Sequence, residues 1–256
     1  MGIGGAGRAL VTGNDALNLN PAGLAWAKLY SLEASVRDDL RGSDTWINVS
    51  IIDSQAGPIA GGISYTYIDR LGPDGAKTQL GHQIDLALAT RLSESMSMGL
   101  TARYLKGDEN DGDSEYQLFT IDAGYQWRLA QGLSLGLTAY NVTNTEQSTA
   151  PITYGGGLSY AADSFGISAD MYYNAQSDKP KYLAGLAYLL GYNFPLRAGV
   201  TYDGLDESIF VSGGIGYQDE GLSADLAYRQ RVEKGLSMTD DSGDRQLAFS
   251  VRLTFF

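Results

Sequence analysis

From Lys28 to Phe256 the chain alternates apolar and polar side chains with a period of two, a pattern that leaves little room for anything but strands. Successive side chains of an extended chain point to opposite faces, so each segment has one apolar face and one polar or small face. In the last segment Leu247, Phe249, Val251, Leu253 and Phe255 share a face, with Ser250, Arg252 and Thr254 on the other. The same division separates Ile84, Leu86 and Leu88 from Gln83, Asp85 and Ala87, and Phe119, Ile121 and Ala123 from Thr120, Asp122 and Gly124. It recurs where Phe165, Ile167, Ala169 and Met171 oppose Gly166, Ser168 and Asp170. With 33 glycines and 17 tyrosines among 256 residues, the composition suits many strands better than a helical or α/β chain.

The alternation resolves into fourteen predicted strands: 29–37, 44–52, 57–69, 78–91, 95–105, 115–129, 132–142, 151–161, 164–174, 181–190, 194–202, 207–217, 220–230 and 245–256. Their connections alternate in length. Long ones fall at 38–43, 70–77, 106–114, 143–150, 175–180, 203–206 and 231–244, short ones at 53–56, 92–94, 130–131, 162–163, 191–193 and 218–219. An even number of strands can close on itself, and long loops at one end with tight turns at the other are the pattern of bacterial outer-membrane barrels. The predicted fold is all-β: a 14-stranded antiparallel transmembrane β-barrel with an N-terminal plug, inserted as a monomer.

A soluble sandwich alternates too, but two features oppose it. Aromatic residues of the apolar phase gather at strand ends, with Tyr65, Tyr67, Tyr104, Tyr173, Tyr202 and Tyr228 on the long-loop side. Tyr125, Trp127, Tyr160, Tyr188, Tyr217 and Phe255 gather on the short-turn side. Amphipathic rings favour the headgroup level of a membrane, so these read as two girdles. The opposite phase carries Glu33, Asp85, Arg91, Arg103, Asp122, Arg128, Asp170, Arg197, Asp225 and Arg252, costly in a dry core but tolerable in a wet or plugged lumen.

Several function classes are excluded early. A net charge of -12 repels phosphate backbones, which argues against nucleic-acid partners. The absence of cysteine removes disulfides and thiolate chemistry, and a single histidine, His82, removes any site that needs two imidazoles. No apolar run approaches the ~18 residues of a transmembrane helix. The opening MGIGGAGRAL lacks the basic start and apolar core of a secretory signal. Export then requires a signal that has been removed, with Met1 in its place.

Residues 1–27 do not alternate. They are rich in glycine and pass into a turn region around Asn20, Pro21, Ala22 and Gly23, where proline after asparagine favours a turn or a first helical turn. Small side chains allow close packing in a narrow space, so this segment reads as a plug, giving two parts: 1–27 as hatch and 28–256 as barrel.

The run GAGRALVTGNDALNLNPAGLAW resembles the N-terminal hatch of the FadL-type outer-membrane transporter superfamily, which includes long-chain fatty-acid and aromatic-hydrocarbon channels and PorV-like barrels of type IX secretion. The triplet Asn20, Pro21, Ala22 is its most specific part. The resemblance implies a fourteen-stranded barrel with the N-terminal segment in its lumen, in the outer membrane of a Gram-negative bacterium.

Candidate site residues come from the lumen phase. Most of its positions are small or charged, yet Tyr116, Leu118, Tyr140, Tyr172, Leu183 and Phe210 break that rule near the long-loop ends of their strands. Two readings of this apolar collar stay open: a first capture site for a hydrophobic ligand, or packing against inward-folded loops or the plug. Below it, Arg103, Asp122, Asp170, Arg197 and Asp225 are lumen charges, with pairs expected among Arg103, Asp122, Arg197 and Asp225. Asn20 and Arg8 are expected to meet wall carboxylates such as Asp85, Asp122 or Asp170.

His82 shares the lipid-facing phase and is read as interfacial; no catalytic residues, cofactor or metal site are expected, and the protein is not read as an enzyme. The acidic run Asp108, Glu109, Asp111, Asp113 and Glu115 is not spaced as an EF-hand, and it reads as a solvated loop meeting lipopolysaccharide through divalent ions. Two functions from different classes follow. One is passive uptake of hydrophobic small molecules, fatty-acid-like or aromatic. The other is a closed scaffold barrel that anchors a protein partner or surface complex. Expected partners are outer-membrane lipid and lipopolysaccharide, with a small hydrophobic ligand under the first reading and a protein under the second.

Overall fold

The computed structural model describes residues 1–40, 44–71, 77–109, 114–144, 150–205, 207–232 and 245–255. Fourteen antiparallel strands form one closed barrel: β1 (Tyr30–Asp39), β2 (Asp44–Asp53), β3 (Ile59–Leu71), β4 (Lys77–Arg91), β5 (Met96–Glu109), β6 (Ser114–Ala130), β7 (Leu133–Tyr140), β8 (Thr153–Ala161), β9 (Phe165–Asn174), β10 (Lys179–Leu190), β11 (Phe194–Asp203), β12 (Ser208–Gln218), β13 (Leu222–Val232) and β14 (Arg245–Phe255). Each strand pairs with its sequence neighbours, and β1 meets β14 from Tyr30↔Phe255 to Asp39↔Gln246. Closure leaves no open sheet edge, which a bilayer core would not tolerate.

Register explains the two faces. Outward positions carry large exposed side chains such as Leu86, Leu88, Leu100, Phe119, Ile167 and Leu226. Inward positions are small, polar or charged, as at Ser50, Ser64, Asp85, Thr101, Asp122 and Ser168, all buried. The predicted girdle residues follow the outward phase, and Tyr30, Phe119, Tyr154, Phe165, Tyr182 and Phe194 join them.

One expectation needs correction. The connection placed at 106–114 is shorter, because β5 continues to Glu109 and β6 begins at Ser114. Asp108 faces Glu115 across this ladder, since backbone pairing continues regardless of the charge on the side chains. Asp111 and Asp113 of the acidic run lie outside the described residues.

The N-terminal residues form no strand. Two short helices, α1 (Ala16–Leu19) and α2 (Leu24–Ala27), are separated by a single turn at Pro21–Gly23, which Asn20 caps by accepting the Ala22 N–H at 3.2 Å. The turn chemistry read from Asn20 and Pro21 is what the backbone does. Lys28 ends α2 in the left-handed region at φ 48° and turns the chain into β1. The apolar cluster of the interior lies here, where Ala16, Leu17 and Leu24 pack against Ile52, Ala60, Ala87 and Ala89 of β2, β3 and β4.

Candidate functional site

The N-terminal segment lies against inward-facing residues around most of the barrel. Its first residues meet β11 and β12: Thr201 Oγ1 donates to the Gly4 carbonyl at 2.7 Å, and the Gly4 N–H donates to Ser212 Oγ at 3.0 Å. Further along, Asn14 Nδ2 donates to Ser50 Oγ of β2 at 2.9 Å, while Ser97 Oγ of β5 donates to the Ala22 carbonyl at 3.0 Å. Gln126 Nε2 of β6 donates to the carbonyls of Arg8 and Val11 at 2.9 and 3.0 Å.

Such close approach needs wall positions without a side chain. A Cβ built on Gly99 would stand 2.5 Å from the Pro21 carbonyl carbon, and one on Gly136 2.6 Å from that of Arg8. On Gly185 it would stand 2.5 Å from the Ile3 oxygen, and on Gly199 it would collide with Gly4. Gly124 leaves the space taken by Asn20 and Pro21. Glycine is therefore used where one backbone runs against another, and not for strand formation, which it weakens. Register pairs some of these positions directly, as Gly99↔Gly124 and Gly185↔Gly199.

The strongest anchor is Arg8, fully buried. Asp170 Oδ2 accepts from Arg8 Nη1 at 2.6 Å and from the N–H groups of Gly7 and Arg8 at 2.9 and 3.0 Å. The guanidinium stacks on Tyr172 at 3.4 Å and donates from Nε to the Tyr140 hydroxyl at 3.2 Å. Tyr140 in turn donates to the Leu19 carbonyl. A charge removed from water must be paired to be tolerated, and Asp170 Oδ2 with its three donors supplies that pairing, while Arg8 Nη2 and Asp170 Oδ1 are buried without a hydrogen-bond partner among the described residues. Gly157 of β8 makes room for Asp170, which a Cβ there would strike.

The remaining predicted charges form separate sets. Arg103 donates to Asp85 at 2.7 Å and reaches Asp122 at 2.9 Å, with Ser64 and Gln83 also bonded to Asp85. Arg197 pairs with Asp225, and Arg252 with Glu33 at 2.5 Å across the β1–β14 seam. Arg91 and Arg128 stand over the Trp26 ring of α2 at 4.5 and 3.8 Å. The expectation for Asn20 is corrected: its Nδ2 donates to the carbonyls of Arg8 and Tyr125, not to a carboxylate. As an amide it satisfies backbone groups that the glycine at 124 brings within reach. His82 faces outward, with its Nδ1 2.7 Å from the Tyr65 hydroxyl.

The six collar residues do not share one surface. A cavity of about 550 Å³ lies on the long-loop side, floored by Gly4, Gly5, Asp15 and Leu19, and of the six only Tyr172 and Leu183 line it. Phe210 instead lies beneath the Arg229 guanidinium at 3.9 Å, and Tyr140 is bound to the N-terminal segment. Trp46 and Ile68, which the sequence reading passed over, supply apolar lining, though their inward phase beside Asn48 and Thr66 was a usable signal. Polar groups such as Asn48, Thr66, Gln83 and Lys181 complete a mixed lining. On the short-turn side a cavity of about 300 Å³ is lined by Ile3, Leu10, Val11 and Gly166. Asp15 and Leu19 border both cavities.

No protein-family model matches the chain, and no curated protein sequence does either. Solved structures match over nearly its whole length. The monoaromatic hydrocarbon channel CymD superimposes with a TM-score of 0.76 at 14% identity, covering 99% of this chain and 95% of that one. The toluene transporter TodX of P. putida gives 0.72 at 13% identity, covering 98% and 96%. A FadL homologue of Pseudomonas aeruginosa gives 0.66 at 13%, covering 100% and 98%. The fold is thus shared with two aromatic-hydrocarbon transporters and a FadL homologue, the superfamily that the run from Gly5 to Trp26 resembles.

Proposed function

We propose that this chain is a Gram-negative outer-membrane channel for passive uptake of small hydrophobic molecules, with residues 1–27 as the plug and 28–256 as the wall. The observation that carries this reading is the pair of cavities of about 550 and 300 Å³ separated by the Asp15–Leu19 stretch. An apolar molecule leaves water for Trp46, Ile68, Tyr172 and Leu183, and the polar groups beside them orient it. Ejecting the whole segment would leave the buried Asp170 of the wall without Arg8 and break many hydrogen bonds worth about 1 kcal/mol each. A local shift of Asp15–Leu19, which frees Leu17 from its apolar cluster and the Leu19 carbonyl from Tyr140, leaves the Arg8 anchor in place and joins the two spaces. No bond is made or broken, so the chain acts as a conduit and not as an enzyme. The hydrocarbon and toluene cargo named for the structural neighbours supports a small aromatic ligand.

The second reading, a sealed barrel that anchors a partner, is favoured by the number of bonds between residues 1–27 and the wall, Arg8 to Asp170 above all. Uptake of radiolabelled toluene by cells expressing the chain separates the two. Uptake faster than in empty cells, and faster again for a chain lacking residues 1–27, supports the channel. Rates equal to empty cells for the intact chain, with conductance in planar bilayers only after truncation, support the sealed barrel. Equal conductance with and without the segment would mean that residues 1–27 do not close the lumen.

A further inference from the structure

The outer wall is not uniform around the barrel. On β3 to β6, register aligns outward residues into rows that differ in chemistry. Lowest is a recess of about 360 Å³ formed by Leu86, Leu88, Met98, Leu100, Ala102 and Ile121. It exists because Ala102 stands between the larger Leu86 and Ile121 in one row. The row toward the long-loop end is Tyr65, Ile84, Tyr104 and Phe119, and the next is Tyr67, His82, Lys106 and Gln117. Tyr65 and Tyr67 hold the His82 ring, with centroids at 6.0 and 5.7 Å, and Lys106 beside it is exposed. One row further, Asp69, Asp108 and Glu115 are acidic.

We infer that this face binds a single phosphate-bearing acyl lipid of the outer leaflet, one chain in the recess at Ala102 and the phosphate at His82 and Lys106. Lys106 lies four strand steps beyond Ala102, about 13 Å along the strand, the distance from an upper acyl segment across the aromatic level to a headgroup. Lys106 is a compact ammonium suited to a phosphate oxygen, and His82, tethered through Nδ1 by Tyr65, keeps Nε2 for a hydrogen bond. Asp108 and Glu115, two strand positions beyond Lys106 and Gln117, oppose a phosphate most strongly at their own row, which makes the Lys106 row the upper limit of its level. The recess faces lipid, not the lumen, and ladders β3–β4 and β4–β5 run unbroken behind it.

This assignment rests on the outer-membrane reading, and its test separates the two. The detergent-solubilised full chain is titrated with diphosphoryl lipid A, and with the same lipid after dephosphorylation, by native mass spectrometry. Lys106→Gln should weaken binding of the phosphorylated form about fivefold and leave the dephosphorylated form unchanged. Ala102→Phe should weaken both, and Ala198→Phe on the far wall neither. Binding indifferent to Lys106→Gln and Ala102→Phe, or equally lost with Ala198→Phe, overturns the site. A wild-type chain that fails to insert into phosphatidylcholine liposomes overturns the membrane reading and this site with it. Insertion with variant-independent lipid binding overturns the site alone.

Discussion

The two faces of the barrel wall are built from the same strands but under different rules. Outward positions such as Leu100, Phe119 and Leu226 are exposed and meet no fixed backbone of the chain, so away from the recess at Ala102 the fold needs only an apolar side chain there. Inward positions such as Gly99, Gly124, Gly199 and Asp170 face a fixed backbone, so their identity matters. A single wall can therefore be tolerant on one side and exacting on the other, and the difference is testable residue by residue.

The largest break should come from Asp170→Ala, which leaves the buried Arg8 without its acceptor and should cost about 3–5 kcal/mol in urea unfolding of the lipid-reconstituted barrel. The double change Arg8→Met with Asp170→Asn should recover most of that loss, because no charge is left unpaired and the amide oxygen still accepts the Gly7 and Arg8 N–H groups. If Asp170→Ala unfolds like the parent, the anchor has no energetic role. Next is Gly199→Val, whose side chain would occupy the space of Gly4 and should cost about 1–3 kcal/mol. If it loosens the segment as a whole, Trp26, now buried under Arg91 and Arg128, should become open to iodide quenching in a chain with Trp46 and Trp127 changed to Phe.

Smaller still is Tyr140→Phe, which removes the hydroxyl between Arg8 and Leu19 and should cost about 1 kcal/mol. Because Leu19 borders both cavities, toluene uptake should rise in the same variant; a fall would place the limiting step elsewhere. The smallest effect belongs to the outer face, where Leu100→Ile should shift the unfolding midpoint by no more than about 0.5 kcal/mol. A loss there as large as that at Gly199 would erase the distinction between the faces.

The fold was legible because its code is local. Period two can be read within a handful of residues, as in Leu247 to Phe255, and both the strand count and the sidedness of Tyr65, Trp127 or His82 follow from it. The Asn20–Pro21 turn was legible for the same reason, since a cap and a fixed φ act between neighbours. The site was only partly so. The lumen phase marked Arg103, Asp122, Arg197 and Asp225 as charges able to pair without saying which with which, and the six collar residues shared a phase and a level without sharing a surface. Phase says that Tyr140 and Phe210 point inward; it does not say that one holds Leu19 and the other lies under Arg229.

What the sequence by itself determined is the set of strands, their order and the face each side chain takes, because these depend on contacts between residues near in the chain. Only the tertiary structure decided that Asp170 receives Arg8 and that Gly199 stands against Gly4, pairs separated by more than a hundred residues. Those meetings depend on ring closure and on the register accumulated over fourteen strands. A shift of one residue in any ladder would turn an inward glycine to the lipid, so the interior is determined only when the last strand has paired with the first.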